Sequence, residues 1–262
     1  MTELFLIKPF LALILTAATS SLLGVFVLWK KLSYFGDAIS HSILLGASLG
    51  AALSINPDFS LIFFAIIFAL LVGFMSQNRY FSKDTIITIS SYFCVTLAIV
   101  VNDFSGKNFD FSNYIFGDVL SVESLDIIAL TAIFITTIFF TIFAFKKILL
   151  MNLANDLAKI EGIKIKLWDG VFLILLTLTI AMSVRIVGVL LVTALLVLPA
   201  AIARLFSHSA LQMLLLSIVS AIAVCAFSGA AAQYYQVSAG ALSVLALSLI
   251  FMLGLVIKNI KA

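Results

Sequence analysis

WDGVFLILLTLTIAMSVRIVGVLLVTALLVLPAAIARLF, Trp168–Phe206, runs for 39 residues with charge only at Asp169, Arg185 and Arg204. A helix rises about 1.5 Å per residue, and about 20 residues cross the hydrocarbon core of a bilayer. The stretch is too long for one crossing. It predicts two, 168–184 and 187–206, doubling back at a tight turn marked by Arg185 and Gly188.

The rest of the chain is of the same kind. Of 262 residues 64% are apolar and 10% charged, where soluble domains hold about 45–50% and about 25%. An ordinary soluble protein is excluded. Apolar runs predict seven further spans, at 9–29, 37–55, 59–77, 85–102, 125–145, 210–228 and 237–257. The expectation is an all-α polytopic membrane protein of about nine transmembrane helices, forming a single domain over 1–262. The first span follows one lysine, Lys8, and stays apolar until Trp29, longer than the h-region of a usual cleaved signal. Cys94 and Cys225 both sit inside apolar runs and are read as inert core thiols, not a disulfide or metal pair.

Short cytoplasmic loops retain lysine and arginine during insertion. One side of the nine-span arrangement receives Lys8, Lys107 and Arg185, and the other receives the remaining 12 basic residues, among them Lys30, Lys31, Lys146, Lys147 and Arg204. The N-terminus is thus expected outside and the C-terminus in the cytoplasm. With the acids included, the outer face carries −4 and the inner face +7. An acidic outer face raises the local concentration of an arriving cation.

Few polar residues interrupt the spans. YFGDAISHSILLG, Tyr34–Gly46, leads into the second and places Asp37 and His41 four apart, on one helical face with Ser40 and Ser48 near the same stripe. A carboxylate deep in a membrane costs about 2.5–3.5 kcal/mol on insertion scales. It asks for a partner, a water-filled cavity or a cation, and Asp oxygen and His nitrogen are ordinary ligands of zinc and its divalent neighbours. The alternative is that Asp37 is interfacial and caps the helix while His41 bonds a neighbouring helix. Gly46, Ala47, Gly50 and Ala51 read as packing, with the small-xxx-small spacing that admits a second backbone. Between spans four and five, YIFGDVLSVE (Tyr114–Glu123) puts Asp118 and Glu123 among apolar residues, in a segment that either dips into the membrane or forms a solvated loop. His208 reads as a surface histidine.

The inner connection Lys146–Trp168 has apolar residues at 149, 153, 157 and 160 with Gly162 as a stop. It predicts an amphipathic helix that lies in the headgroups or docks into a groove on a soluble partner. The chain has no G-x-x-x-x-G-K-[ST] phosphate loop, catalytic triad or H-E-x-x-H. It is read as a non-enzyme, so active transport would draw its energy from another subunit or from an ion gradient.

Four ordered stretches carry a resemblance: Leu28–His41, Tyr114–Val122, Asn155–Gly162 and Val187–Arg204. Together they resemble the membrane permeases of ABC importers for zinc and manganese, most closely the zinc-uptake permeases. The resemblance implies a type II ABC importer permease-like fold and a homodimer in the inner (cytoplasmic) membrane. It also implies two cytoplasmic ABC ATPase subunits and an extracytoplasmic metal-binding protein, with no nucleic-acid partner and no permanently bound cofactor. The transported substrate would be Zn²⁺, or else Mn²⁺ or Fe²⁺. By position, Asp37 and His41 resemble the metal-contacting pair, and Asp118 an acidic partner from the outer connection. Asn155, Asp156, Leu157, Ala158 and Gly162, within a segment at about 147–167, resemble the helix that seats in the ATPase. Pro199 would kink or terminate the seventh span. Two positions depart from the zinc pattern: Tyr92 stands where close relatives carry a span-four histidine, and Gln236–Gly240 reads QVSAG in place of D-x-P-A-G. The competing readings are a gradient-driven metal transporter without an ATPase and a membrane scaffold that transports nothing.

Overall fold

The computed structural model describes residues 2–75, 80–106, 114–115, 117 and 121–261. Among them are ten helices: α1 (Thr2–Trp29), α2 (Ser33–Leu53), α3 (Pro57–Met75), α4 (Lys83–Ser105), α5 (Ser124–Leu153), α6 (Asn155–Ile160), α7 (Ile165–Val187), α8 (Val189–Phe206), α9 (Ala210–Tyr235) and α10 (Ala239–Lys261). Nine of these are long and α6 is a single short piece. By length and hydropathy, six are able to cross a membrane among the described residues: α1, α4, α5, α7, α9 and α10. The described apolar parts of α3 and α8, Phe59–Met75 and Leu191–Phe206, are shorter. The long helix α2, which carries Asp37 and His41, is not one of the six.

The turn in the 39-residue stretch falls at Gly188, whose φ of 93° and ψ of 156° lie in a region essentially reserved for glycine. Its N–H donates to the Val184 carbonyl and closes α7, while its own carbonyl accepts from Val192 and opens α8. Arg185 lies inside the last turn of α7. Pro199 does not terminate its helix, for α8 continues through it to Phe206. Proline cannot donate to the carbonyl four residues back. Near that level Gly24 of α1 presses its backbone on α8, where a Cβ at Gly24 would stand 1.9 Å from the Leu196 oxygen.

Two other boundaries differ from expectation. α5 runs to Leu153 instead of stopping near 145. Lys146 and Lys147 end the hydrophobicity there but not the helix: Lys147 Nζ sits 4.1 Å from the centre of the Trp168 ring, while Ile148 and Met151 remain buried. The amphipathic helix expected across 149–160 is broken at Ala154 (φ −149°, ψ 81°). Leu149 and Leu153 therefore belong to α5, and only Asn155–Ile160 forms the separate α6.

Lipid tails are as apolar as leucine, so helices in a membrane are held by close packing and hydrogen bonds. α2 lies between α3 and α4. The Ser60 hydroxyl donates to the Gly46 carbonyl (2.6 Å) and ties α3 to α2 where a Cβ at Gly46 would meet Ser60 O at 2.9 Å. Toward α4, His41 meets Ser91 and Ser48 donates to the Ala98 carbonyl. Both pairs are separated by 50 residues, which makes α2 and α4 parallel neighbours in one fixed register. α1 is held to α9 by Ser217, whose hydroxyl donates to Ser21 O at 3.0 Å, and α10 packs on α8 and α9. Phe26 of α1 makes edge contacts with Phe140 of α5 and Phe172 of α7, forming an aromatic node among the three helices.

Lysine and arginine side chains also tie helices together near their ends. Lys8 bonds Ser124 (2.9 Å), and Arg185 pairs with Asp126 (3.3 Å), which also accepts from the Glu123 N–H. Lys30 pairs with Asp169.

Candidate metal centre

α2 begins at Ser33, so Asp37 falls in its second turn and His41 one turn later. Phe35, Gly36, Ala38, Ile39 and Ser40 are buried, and Gly36 admits Leu196 and Thr193 of α8 at 3.1 and 3.3 Å from a Cβ position. Asp37 alone in this turn keeps an open side chain, half exposed at 51%, and His41 keeps 23%. The polar stripe expected from spacing is divided by packing: Ser40 points into the bundle, Ser48 is spent on Ala98 O, and only Asp37 and His41 remain available.

His41 is oriented by α4. Its Nδ1 lies 2.6 Å from the Ser91 hydroxyl, and its Nε2 lies 3.9 Å from Asp37 Oδ1. With the proton on Nδ1, the ring donates to Ser91 and turns the Nε2 lone pair toward the carboxylate; metal-ligating histidines ordinarily use the second nitrogen in this way. The 3.9 Å gap is too long for a hydrogen bond. Two donors about 2.0–2.2 Å from a tetrahedral zinc stand about 3.4 Å apart, so a side-chain movement of about half an ångström brings the pair to ligating distance.

Ser91 was not visible as a site residue in the sequence. Its neighbour Tyr92, one residue and about 100° further round the helix, is 65% exposed. Asp118 lies outside the described residues. The described part of that connection includes Gly117 (φ +69°), whose Cβ position would be 2.4 Å from the Gly188 nitrogen, so Gly117 itself lies directly on the α7–α8 turn. Glu123 is the N-cap of α5, in a reciprocal capping box with Asp126. Among the described residues no group of three or more His, Cys, Asp or Glu side chains comes together, and the described part of the site is the pair Asp37 and His41. Cys94 and Cys225 are free, buried and in separate core clusters. His208 is exposed, and its N–H donates to Gln212.

At the far end of α5, Ala158 is fully buried while Leu153, Leu157 and Ile160 are 77%, 54% and 80% exposed. Leu157 and Ile160 of α6 thus face away from the bundle, while Ala158 faces into it. Asp156 pairs with Lys159 at 3.0 Å. Gly162, with φ +73°, stops the helix as Ile163 N–H returns to the Ala158 carbonyl. The QVSAG departure falls in the α9–α10 turn, where Gln236 is the left-handed cap.

The high-affinity zinc uptake system membrane protein ZnuB of Haemophilus influenzae is 34% identical over 241 residues, which are 89% of this chain and 90% of that one. The manganese import system permease protein ScaB of Streptococcus gordonii is 28% identical over 248 residues, 95% of this chain and 89% of that one. Among solved structures, PsaBC from Streptococcus pneumoniae in complex with Fab superposes with a TM-score of 0.82 at 26% identity, covering 95% of this chain and 90% of the other. The family match spans residues 2–258, and the chain belongs to the ABC 3 transport family.

Proposed function

We propose that this chain is the membrane permease of an ATP-driven importer that carries zinc across the inner membrane. The observation that carries the reading is the Asp37–His41 pair, left open on α2 and braced through Ser91. Kinship with a zinc uptake permease adds to it. The chain works as a homodimer of nine-span protomers with the N-terminus outside and the C-terminus in the cytoplasm. Two protomers bring two such pairs to the translocation path, with Asp118 as a further oxygen donor. Such a site binds without enclosing the ion, and transport requires this, since a closed four-ligand cage holds its metal.

An outer binding protein delivers the ion to the acidic outer face. Cytoplasmic ATPases seat on the segment Asn155, Asp156, Leu157, Ala158 and Gly162, and their closure rocks the two permeases so that the site opens first outward and then inward. Manganese is the second reading. It is favoured by the manganese permease relative and by a described donor set with a single imidazole, because manganese accepts oxygen-rich sites more readily than zinc does.

The test is uptake of radioactive zinc and manganese, in competition, by cells carrying Asp37→Ala or His41→Ala. Both variants are expected to assemble with the ATPase and to lose uptake; normal uptake by both would sink the assignment.

A further inference from the structure

A cavity of about 590 Å³ lies at the end of the bundle that holds Lys30, Lys83 and Lys166, bounded by α3, α7, the start of α4 and the α5–α6 break. Its size is that of a small-molecule site. Lys30 and Asp169 line it and neutralise each other in an ion pair. Lys83 and Lys166 also line it, are exposed, and have no ion-pair partner among the described residues. The lining therefore carries a net charge of +2, which repels a divalent cation and removes the cavity from the metal's route.

The remaining wall is apolar. Leu70 and Phe74 of α3 and Ile174 of α7 line it while being 57%, 75% and 40% exposed on the outside of the bundle. The seam between these helices is open beside Gly73, where a Cβ would find room and meet Leu173 at 3.7 Å among the described residues. The cavity thus opens sideways, toward the acyl chains of a surrounding bilayer, and has its ammonium groups at the headgroup end. A soluble anion has no use for the apolar seam, and a neutral lipid has none for the two unpaired lysines.

We infer that this cavity binds the headgroup and first acyl methylenes of an anionic phospholipid, with Lys83 and Lys166 pairing its phosphodiester and Leu70, Phe74 and Ile174 receiving its chains. Basic pockets between helices on the cytoplasmic side are ordinary places for such headgroups. Asn152 and Asn155, on either side of the Ala154 break, share the wall, so a bound lipid rests against the joint between α5 and α6. The inference does not depend on which metal is carried, or on whether any is.

The full-length chain, purified in detergent and supplied with equal amounts of phosphatidylglycerol and phosphatidylcholine, is examined by native mass spectrometry. The wild type is expected to keep phosphatidylglycerol selectively. Lys83→Gln/Lys166→Gln should lower that retention about tenfold or more, while Lys31→Gln/Lys146→Gln, which removes equal charge away from the cavity, keeps it. Equal loss in both double variants, no loss in the first, or no lipid preference in the wild type would overturn the inference. Displacement of the lipid by glycerol 3-phosphate would also overturn it, in favour of a soluble phosphate ester. Melting curves run with and without phosphatidylglycerol give a second readout: the wild type is stabilised by it and Lys83→Gln/Lys166→Gln is not.

Discussion

Replacing Ser91 by alanine removes one oxygen and leaves Asp37 and His41 in place. The oxygen sits 2.6 Å from His41 Nδ1 and fixes the ring on the α4 side. A hydrogen bond of this kind is worth about 0.5–1.5 kcal/mol net, and loss of the outer partner of a ligating histidine costs about 10–100-fold in metal affinity. The two scales meet at about tenfold, since 1.4 kcal/mol is a factor of ten. The concentration of zinc that half-saturates uptake should therefore rise about tenfold in Ser91→Ala, with the maximal rate nearly kept because both ligands remain. Ser91→Thr, which restores a hydroxyl at the same carbon, should recover much of the loss. The same helix pair supplies the control: Ser48 donates to Ala98 O at 2.9 Å in the same α2–α4 seam. Ser48→Ala loses a comparable bond and loosens the same packing, yet touches neither ligand. If Ser48→Ala and Ser91→Ala raise the half-saturating concentration equally, Ser91 acts through packing alone. If neither does, the orientation of His41 does not set affinity and the reasoning fails.

Two further outcomes follow from the packing. Gly24→Ala would drive a Cβ to within 1.9 Å of the Leu196 oxygen, backbone against backbone. Overpacking commonly costs about 1–3 kcal/mol, and the α1–α8 contact has no flexible side chain to yield; a lowered melting temperature of the detergent-purified protein is expected, and an unchanged one refutes the close approach. Leu157→Asp places a charge on a residue 54% exposed on α6. It should leave the permease folded while reducing co-purification of the ATPase; full retention together with full ATP-dependent uptake would remove α6 from the docking surface.

Hydropathy reports where the solvent changes, and helix ends follow it only where backbone chemistry agrees. At Gly188 they coincide, because the residue in the middle of the apolar run is the one that tolerates φ 93° and ψ 156°. At Lys146–Lys147 they part: the charges mark the edge of the apolar layer, and α5 continues because its other face still packs. Ala154 breaks the next helix without any of the breaker chemistry by which a sequence announces a break. The same division runs through the site. Spacing alone put Asp37, Ser40, His41 and Ser48 on one polar stripe, and in a membrane a polar residue is either glue between helices or chemistry. Ser48 and Ser60 spend their donors on neighbouring carbonyls, and Ser40 is buried. His41 spends one nitrogen on Ser91, across a seam whose partner lies 50 residues away, a distance over which no local pattern operates. The Ser40 hydroxyl is left without a partner but is sealed inside the bundle, so what stays both unused and accessible is the Nε2 of His41 and the carboxylate of Asp37. A residue inside a membrane earns a functional reading by the lone pairs that its neighbours leave both unused and accessible, and the register of α2 on α4 reveals which those are.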